Sequence, residues 1–406
     1  MKTCVIVGAG GRGKDAYAPY IKQKNLFKIV GVVEPDDYKR EQFKSTYGVK
    51  DEMCFTDYKA FFKREKLADA VIICTQDKMH TEPTLMAKEK GYHIMLEKPI
   101  AATLSEVKLL EKEFCDYDKV FMTGFVLRYT PFISKMKEII DNGEIGDIVT
   151  MQLNENEGFW HHAHSYVRGP WSNSKYSTPL VVAKSSHDID LIHYLVQSKC
   201  TSVMSYGDNT YFVKENAPGK VPERCTDGCP YEDECIYNAV KQYTEGKGKY
   251  FVHLFECGDK KEDIIEALKT NRYGRCVYRC DNDVCDNQIV YLDFENGANA
   301  TFTISAFSLE NNRTMKIMGT KGEVGGCMET GEIVLKKFND MSETKFKITH
   351  DGTKHCGGDG GLMDYFAKQI DECEKKKQGV DKWMFDAHKV AFTSEKARVG
   401  KKKIKM

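Results

Sequence analysis

Residues Gly8-Ala9-Gly10-Gly11-Arg12-Gly13 follow directly on the apolar run Cys4-Val5-Ile6-Val7 and set three glycines in a G-x-G-x-x-G spacing. The chemistry this spacing serves is phosphate binding. Gly8 permits a tight turn, Gly10 lets backbone approach a pyrophosphate, and Gly13 lets a helix pack close on the strand. Amide N–H groups and the dipole at the helix start favour the diphosphate charge, and Gly11 and Arg12 lie in the same turn. A second apolar run, Ile29 to Val33, ends at Glu34, whose carboxylate is placed to accept hydrogen bonds from an adenosine ribose. Together these residues predict a bound dinucleotide. Glu34 would repel a 2′-phosphate, so the expected form is NAD. Pro19 falls inside the expected first helix and should kink or shorten it.

In an open α/β sheet, ligands bind beyond the carboxyl ends of the strands. The residues expected at those ends are Thr75, His80 and Glu97-Lys98-Pro99. Glu97-Lys98 is either a solvated loop pair or a lysine delivered to the cofactor crevice. The buried strand before it and the proline after it favour delivery. Farther on, Ser185-Ser186-His187-Asp188 starts an amphipathic helix with Ile189, Ile192, Leu195 and Val196 on its core side. Local pattern leaves His187 open between a helix cap and a functional group.

The elements that must hold these groups alternate strand and helix over residues 1–125. Ala70 to Cys74 is a continuous apolar run, as suits a strand covered on both faces of a parallel sheet. Residues 80–90 read as a helix, Tyr92 to Leu96 as the next strand, and Ser105 as the cap of another helix before Val120 to Thr123. The fold class is therefore α/β, a doubly wound parallel sheet. Residues 126–406 change pattern. An amphipathic helix over 132–142 ends at Gly143, and strands are expected at 147–154, 200–206, 288–295, 298–307, 313–318 and 331–337, with helices around 180–196, 361–376 and 386–400. This predicts a second, α+β domain with a mostly antiparallel sheet. Residues 208–287 are polar and cysteine-rich and read as an insertion.

Composition narrows the class of function. Lys+Arg and Asp+Glu both number 60, so no net field draws the chain to nucleic acid or to an acidic membrane. No apolar run approaches the roughly 18–20 residues that span a bilayer, and no leader pattern follows Met1-Lys2. A cytoplasmic protein is expected, its 15 cysteines reduced or bound to metal. The tail Lys401-Lys402-Lys403-Ile404-Lys405 reads as a frayed, solvated end.

Taken together, the glycine turn, Glu97-Lys98-Pro99, Gly124-Phe125…Arg128-Tyr129…Pro131, Gly143-x-x-Gly146 and His187-Asp188-Ile189-Asp190-Leu191 resemble the Gfo/Idh/MocA oxidoreductases, over nearly the whole chain. The resemblance implies a Rossmann domain joined to a C-terminal domain whose open sheet forms a homodimer or homotetramer. It also implies oxidation of a secondary hydroxyl of a sugar, glycoside or cyclitol. By resemblance Lys98 is the catalytic lysine and His187 the active-site histidine, with Arg128, Tyr129, Lys184 and Asp188 on the substrate side. Which of Lys98 and His187 takes the proton stays open. The chain departs from the family in having Ala183 where an aspartate usually precedes the histidine, and Gln76 in place of a proline. Lys184 then either adds a second cation or points to solvent. The alternative function is an NAD-dependent glycosidase that oxidises, eliminates, hydrates and reduces back. A non-catalytic NAD sensor is disfavoured, since Lys98 and His187 are both present.

Two segments stand outside that frame. Trp160, His161, His162, Arg168 and Trp171 suit carbohydrate, the indoles stacking on sugar C–H faces; a metal site and a packed loop are the alternatives. Cys225, Cys229 and Cys235 hold three thiols close together, and Cys280 is the preferred fourth ligand if they bind a structural zinc. An iron–sulfur cluster and free thiols are the other readings.

Overall fold

The computed structural model describes residues 1–255, 257–376, 380–381 and 383–406. Six parallel strands form the first sheet: β1 (Thr3–Val7), β2 (Lys28–Val33), β3 (Cys54–Phe55), β4 (Ala70–Ile73), β5 (His93–Leu96) and β6 (Phe121–Thr123). Their order is β3-β2-β1-β4-β5-β6, reversing between β1 and β4. That reversal opens the crevice in which such sheets bind dinucleotides. Every residue of β4 and β5 is buried, as the unbroken apolar run of β4 predicts. Pro19 sits in the first turn of the α-helix Ala18–Lys24, and a π-helical turn, Gly13–Tyr17, precedes it. Thr103, not Ser105, caps the helix Leu104–Phe114, its Oγ1 accepting from Glu106 N at 3.2 Å.

Nine strands form the second sheet: β7 (Ile148–Gly158), β8 (Cys200–Asp208), β9 (Asn287–Phe294), β10 (Asn299–Ser308), β11 (Asn312–Gly319), β12 (Gly322–Cys327), β13 (Glu332–Lys337), β14 (Glu343–Lys347) and β15 (Ile404–Lys405). The order is β14-β13-β12-β11-β7-β10-β9-β8-β15. Pairings are antiparallel except β7 with β10. The sequence reading missed β12, β14 and β15. β15 also corrects the frayed tail, since Ile404 pairs with Val203 and Lys403 Nζ reaches Asp293 Oδ2 at 2.7 Å. The expected helix over 180–196 is two, Leu180–Ala183 and Ser186–Val196, with Lys184 and Ser185 at the break.

The 208–287 segment is less polar in its packing than in its composition. It buries Phe212, Tyr237, Val277 and Tyr278 against Ala163, Val167 and Ala306, and separately packs Ala239, Tyr243, Phe251, Ile264 and Leu268 together. Burial alone therefore holds much of it. Cys225, Cys229, Cys235 and Cys276 line one small cavity, while Cys280 Sγ turns to the carbonyl of Cys276 at 3.3 Å. Among the described residues no group of three or more His, Cys, Asp or Glu is arranged to hold a metal ion. The zinc expectation therefore finds no support in this geometry.

Two core histidines predict acid sensitivity. His388 Nε2 accepts from Ile100 N at 3.1 Å, and His93 Nδ1 accepts from Val120 N at 3.1 Å. Both rings must be neutral to do so, and burial pushes each down to about 4. An unfolded histidine titrates near 6.5, so below that pH the unfolded chain binds more protons and stability falls. Unfolding free energy measured across pH is expected to decline from about 6.5 to about 4, at up to about 1.4 kcal/mol per pH unit for each residue. A flat profile over that window would contradict these hydrogen bonds.

Candidate active site

The glycine turn sits at the carboxyl end of β1. Gly8 has φ +98°, and a Cβ there would stand 2.6 Å from the carbonyl oxygen of Cys74; at Gly13 a Cβ would stand 2.2 Å from Gly8 O. Gly8 lets the turn close against the end of β4, and Gly13 lets the helical turn that follows pack against Gly8 and Ile6. Gly10 and Gly11 instead face open space, with nothing within 4 Å of a Cβ, which leaves the cradle a pyrophosphate requires. Glu34 Oε2 accepts from Ala9 N at 2.8 Å and Oε1 from Asp36 N at 3.1 Å. Its carboxylate thus stands between the turn and the end of β2, where an adenosine ribose would lie. These residues fit NAD.

Arg12 is engaged inside the protein. Its Nε donates to Glu97 Oε1 at 2.7 Å, and its two terminal nitrogens form a fork on Asp359 at 2.9 and 3.0 Å. Glu97 is 4 % exposed; burial raises its pKa, but Arg12, Tyr17 and Lys98 outweigh this and hold it below the usual range. His80 is likewise committed, its ring nitrogens 2.6 Å from Pro99 O and 2.9 Å from Thr75 O. Thr75 Oγ1 donates to Met79 O at 3.0 Å. Arg12, Thr75, His80 and Glu97 therefore shape the crevice wall through contacts with the protein itself.

Lys98 leaves the end of β5 and crosses to the second domain, where Nζ donates to Ala183 O at 2.6 Å. Burial pushes its pKa down, opposed by Glu97 and Asp77. That contact brings Lys98 beside the break between the two helices, and so beside His187. His187 is 5 % exposed and its Nδ1 has no partner in the protein. Burial, then Lys98, His355, Arg313 and Arg12, push its pKa well below the usual histidine value. Ser185 Oγ, Ser186 Oγ and Asp77 Oδ2 are also buried without partners. Buried polar atoms are normally hydrogen-bonded, so this group around Lys98 suits a ligand rich in hydroxyls.

Lys184 does not point to solvent. Its Nζ lies 3.3 Å from Glu155 and 3.6 Å from Glu157 on β7; burial lowers its pKa, but these carboxylates outweigh it and raise it overall. Arg313 on β11 bridges Asp188 at 2.8 Å and Glu155 at 2.6 Å. Asp188 is fully buried, its pKa pushed well up by burial against the pull of Arg313, while Arg313 and Lys184 hold Glu155 down at about 2 despite burial. Asp188 and Lys184 form a buried charge cluster beneath the crevice.

The other residues expected on the substrate side make contacts within the protein. Arg128 is 7 % exposed and tied to Asp190, Nε to Oδ2 at 2.6 Å, and to Asp381. Tyr129 packs on Tyr365, ring centroids 4.8 Å apart. Arg168 is buried, donating to Arg275 O at 2.7 Å and Tyr237 O at 2.6 Å, which anchors the 208–287 segment. The loop expected over 158–171 is helical, Phe159–His162 and then a π-helical turn Ala163–Arg168. His162 is buried and donates to Glu157 at 2.8 Å. Trp160, His161 and Trp171 stay half-buried, His161 Nδ1 at 3.3 Å from Asn311 Oδ1 and Trp171 packing on Tyr166. Two groups the sequence reading missed do line the crevice: His355 and Asp359, paired at 3.0 Å. Their four-residue spacing ahead of a helix was the only local signal.

Residues 2–125 match the NAD-binding Rossmann-fold domain of the Gfo/Idh/MocA oxidoreductase family, and residues 137–348 match its C-terminal α/β domain. The chain belongs to the Gfo/Idh/MocA family. It is an NAD-binding oxidoreductase with sugar and cyclitol dehydrogenases among its relatives. It is 24 % identical to the Bacillus subtilis oxidoreductase YteT over 80 % of this chain and 76 % of that one. Glucose-6-phosphate 3-dehydrogenase of B. subtilis is 26 % identical over 49 % of this chain and 55 % of its own, and scyllo-inositol 2-dehydrogenase (NAD+) of the same organism 28 % over 50 % and 56 %. The chain thus spans little over half the length of those two dehydrogenases. Among solved structures, levoglucosan dehydrogenase with NADH and levoglucosan superposes with a TM-score of 0.69 at 18 % identity, covering 100 % of this chain and 99 % of that one. At that identity the likeness speaks to the Gfo/Idh/MocA fold alone. No helix among the described residues is long and apolar enough to cross a membrane.

Proposed function

We propose that the protein oxidises a secondary hydroxyl of a sugar, glycoside or cyclitol with NAD. The observation that carries this reading is Lys98 Nζ, held on Ala183 O at 2.6 Å beside the unpartnered His187 Nδ1. It sets a donor and an imidazole next to the crevice that the glycine turn opens. Gly8 to Gly13 and Glu34 would hold NAD, which supplies a hydride acceptor when bound. A carbinol carbon gives up hydride only as its hydroxyl proton is removed. Lys98 has donors left for the oxygen, and a positive group there stabilises alkoxide character as it develops. His187, neutral and desolvated, is suited to hydrogen-bond the same hydroxyl. The seryl hydroxyls and Asp77 offer further partners for a polyol. Hexoses, hexosides and inositols, each incubated with NAD, are expected to give NADH with at least one. Sugar release with no NADH accumulating would instead favour the glycosidase reading.

NAD is expected to exceed NADP in kcat/KM. Glu34 is 8 % exposed and held by two backbone amides, so its charge stays where a 2′-phosphate would come. Arg40, the nearby arginine, is turned to Glu34 O at 2.7 Å and to Asp37. Equal or better kinetics with NADP would contradict this assignment.

We further propose a homodimer or homotetramer through the nine-stranded sheet. Tyr206 and Ile289, partners across β8 and β9, stand about half exposed and would lie at that interface. Light scattering that returns a monomer would exclude it.

A further inference from the structure

The carboxylate that usually orients the active-site histidine is absent here, because residue 183 is alanine, fully engaged through its carbonyl with Lys98. Among the described residues no carboxylate hydrogen-bonds His187 Nδ1. The charged groups around it are Lys98, Arg12 and Arg313, each of which opposes a proton on its ring. It is poorly placed to end the reaction as an imidazolium.

A second histidine in the same crevice has what His187 lacks. His355 Nδ1 donates to Asp359 Oδ1 at 3.0 Å, which leaves Nε2 as the acceptor and fixes the tautomer. Asp359 is 2 % exposed and is held ionised by Arg12, whose guanidinium grips both its oxygens. His355 and His187 stand with ring centroids 6.2 Å apart. His355 is also the more open of the two, exposed where His187 is buried, which gives a proton a way out; partial burial still holds its pKa below the usual histidine value against the pull of Asp359. The backbone is bent to bring it there. His355 and Cys356 lie in the left-handed region at φ +52° and +51°, directly before Gly357 at +88°. Such conformations are uncommon for residues other than glycine, although histidine, asparagine and aspartate adopt them more readily than most, and they concentrate at functional sites.

We propose that His355, oriented by Asp359, is the catalytic base of this chain, and that its Nε2 takes the proton of the substrate hydroxyl. The inference rests on the dehydrogenase reading above. The substrate O–H bond breaks, the proton bonds to Nε2, and the electron pair left on oxygen forms the carbonyl as the carbon loses hydride to NAD. The imidazolium so formed faces Asp359 at its other nitrogen, with Arg12 and Arg313 as the nearby cations and His187 as the neighbouring neutral ring. Lys98 and His187 then hold the oxygen, and His355 removes the proton.

The test uses the full-length protein, NAD, and whichever member of the polyol panel the wild type oxidises. H355N keeps a residue tolerant of the left-handed backbone, and H355G leaves a void that imidazole can enter. Both are expected to lose about 10²–10⁴ in kcat, to bind NADH with a Kd within about threefold of wild type, and to lose the acid limb of the kcat/KM profile. Added imidazole is expected to restore activity to H355G, a response that a structural role would not produce. Retention of more than about a third of kcat by a folded H355N, with the acid limb unchanged, would overturn the proposal. If H355N does not fold, absence of imidazole rescue in folded H355G overturns it instead. A wild type that oxidises no polyol with NAD removes the dehydrogenase reading and this proposal together, and so is distinguishable from loss of the proposal alone.

Discussion

Lys98→Ala is expected to lose about 10²–10⁴ in kcat while binding NADH nearly as the wild type does. The two halves of this expectation come from separate contacts. The turn that would hold the pyrophosphate is shaped by Gly8 and Gly13, and Glu34 is fixed by backbone amides of Ala9 and Asp36. Lys98 touches neither, since its Nζ reaches across to Ala183 O. What the substitution removes is the donor beside the reacting oxygen, and with it the stabilisation of negative charge in a site that excludes water. Steady-state kinetics on the active polyol, together with NADH titration by fluorescence, check both halves. A variant keeping more than about a tenth of kcat would remove Lys98 from the chemistry.

Arg313→Met is expected to cost about 3–5 kcal/mol of stability, the scale for breaking a buried ion pair by deleting one partner. Arg313 bridges Glu155 and Asp188, which are 4 % and 0 % exposed. Without it, Glu155 keeps Lys184 as a neighbouring cation at 3.3 Å, while Asp188 loses the guanidinium that stands 2.8 Å from it. Methionine fills much of the same volume, so the loss reports charge rather than a cavity. The midpoint and slope of urea unfolding, measured beside wild type, give the difference. A loss below about 1 kcal/mol would mean that water reaches the cluster.

The parts of this site legible in the sequence are those set by neighbours in the chain. The glycine turn, the acid at the end of β2 and the lysine at the end of β5 depend on a strand running into a turn, a pattern that apolar runs reveal. Arg12, Arg128 and Arg168 were not legible. The same residue type serves a ligand or an internal partner, and the partner decides. Arg12 meets Asp359 at a separation of 347 residues, Arg128 meets Asp190 at 62, and Arg168 meets Tyr237 at 69. His355 escaped notice because its pairing with Asp359 straddles a loop and a helix start, where no periodicity marks it. The missed strands have a similar cause. β12 carries three glycines, and β14 is charged and exposed at the sheet edge, so neither alternates as a half-buried strand does. The break at Lys184 was hidden because the apolar residues on either side continue a helical spacing.

Hydride passes from a carbinol carbon to NAD in the proposed reaction. This transfer is tested most directly by supplying the active polyol with deuterium at the reacting carbon and following the label. Equimolar ketone and NADH are expected, with the deuterium carried on the reduced nicotinamide. Product formed without net NADH, or NADH lacking the label, would contradict that transfer.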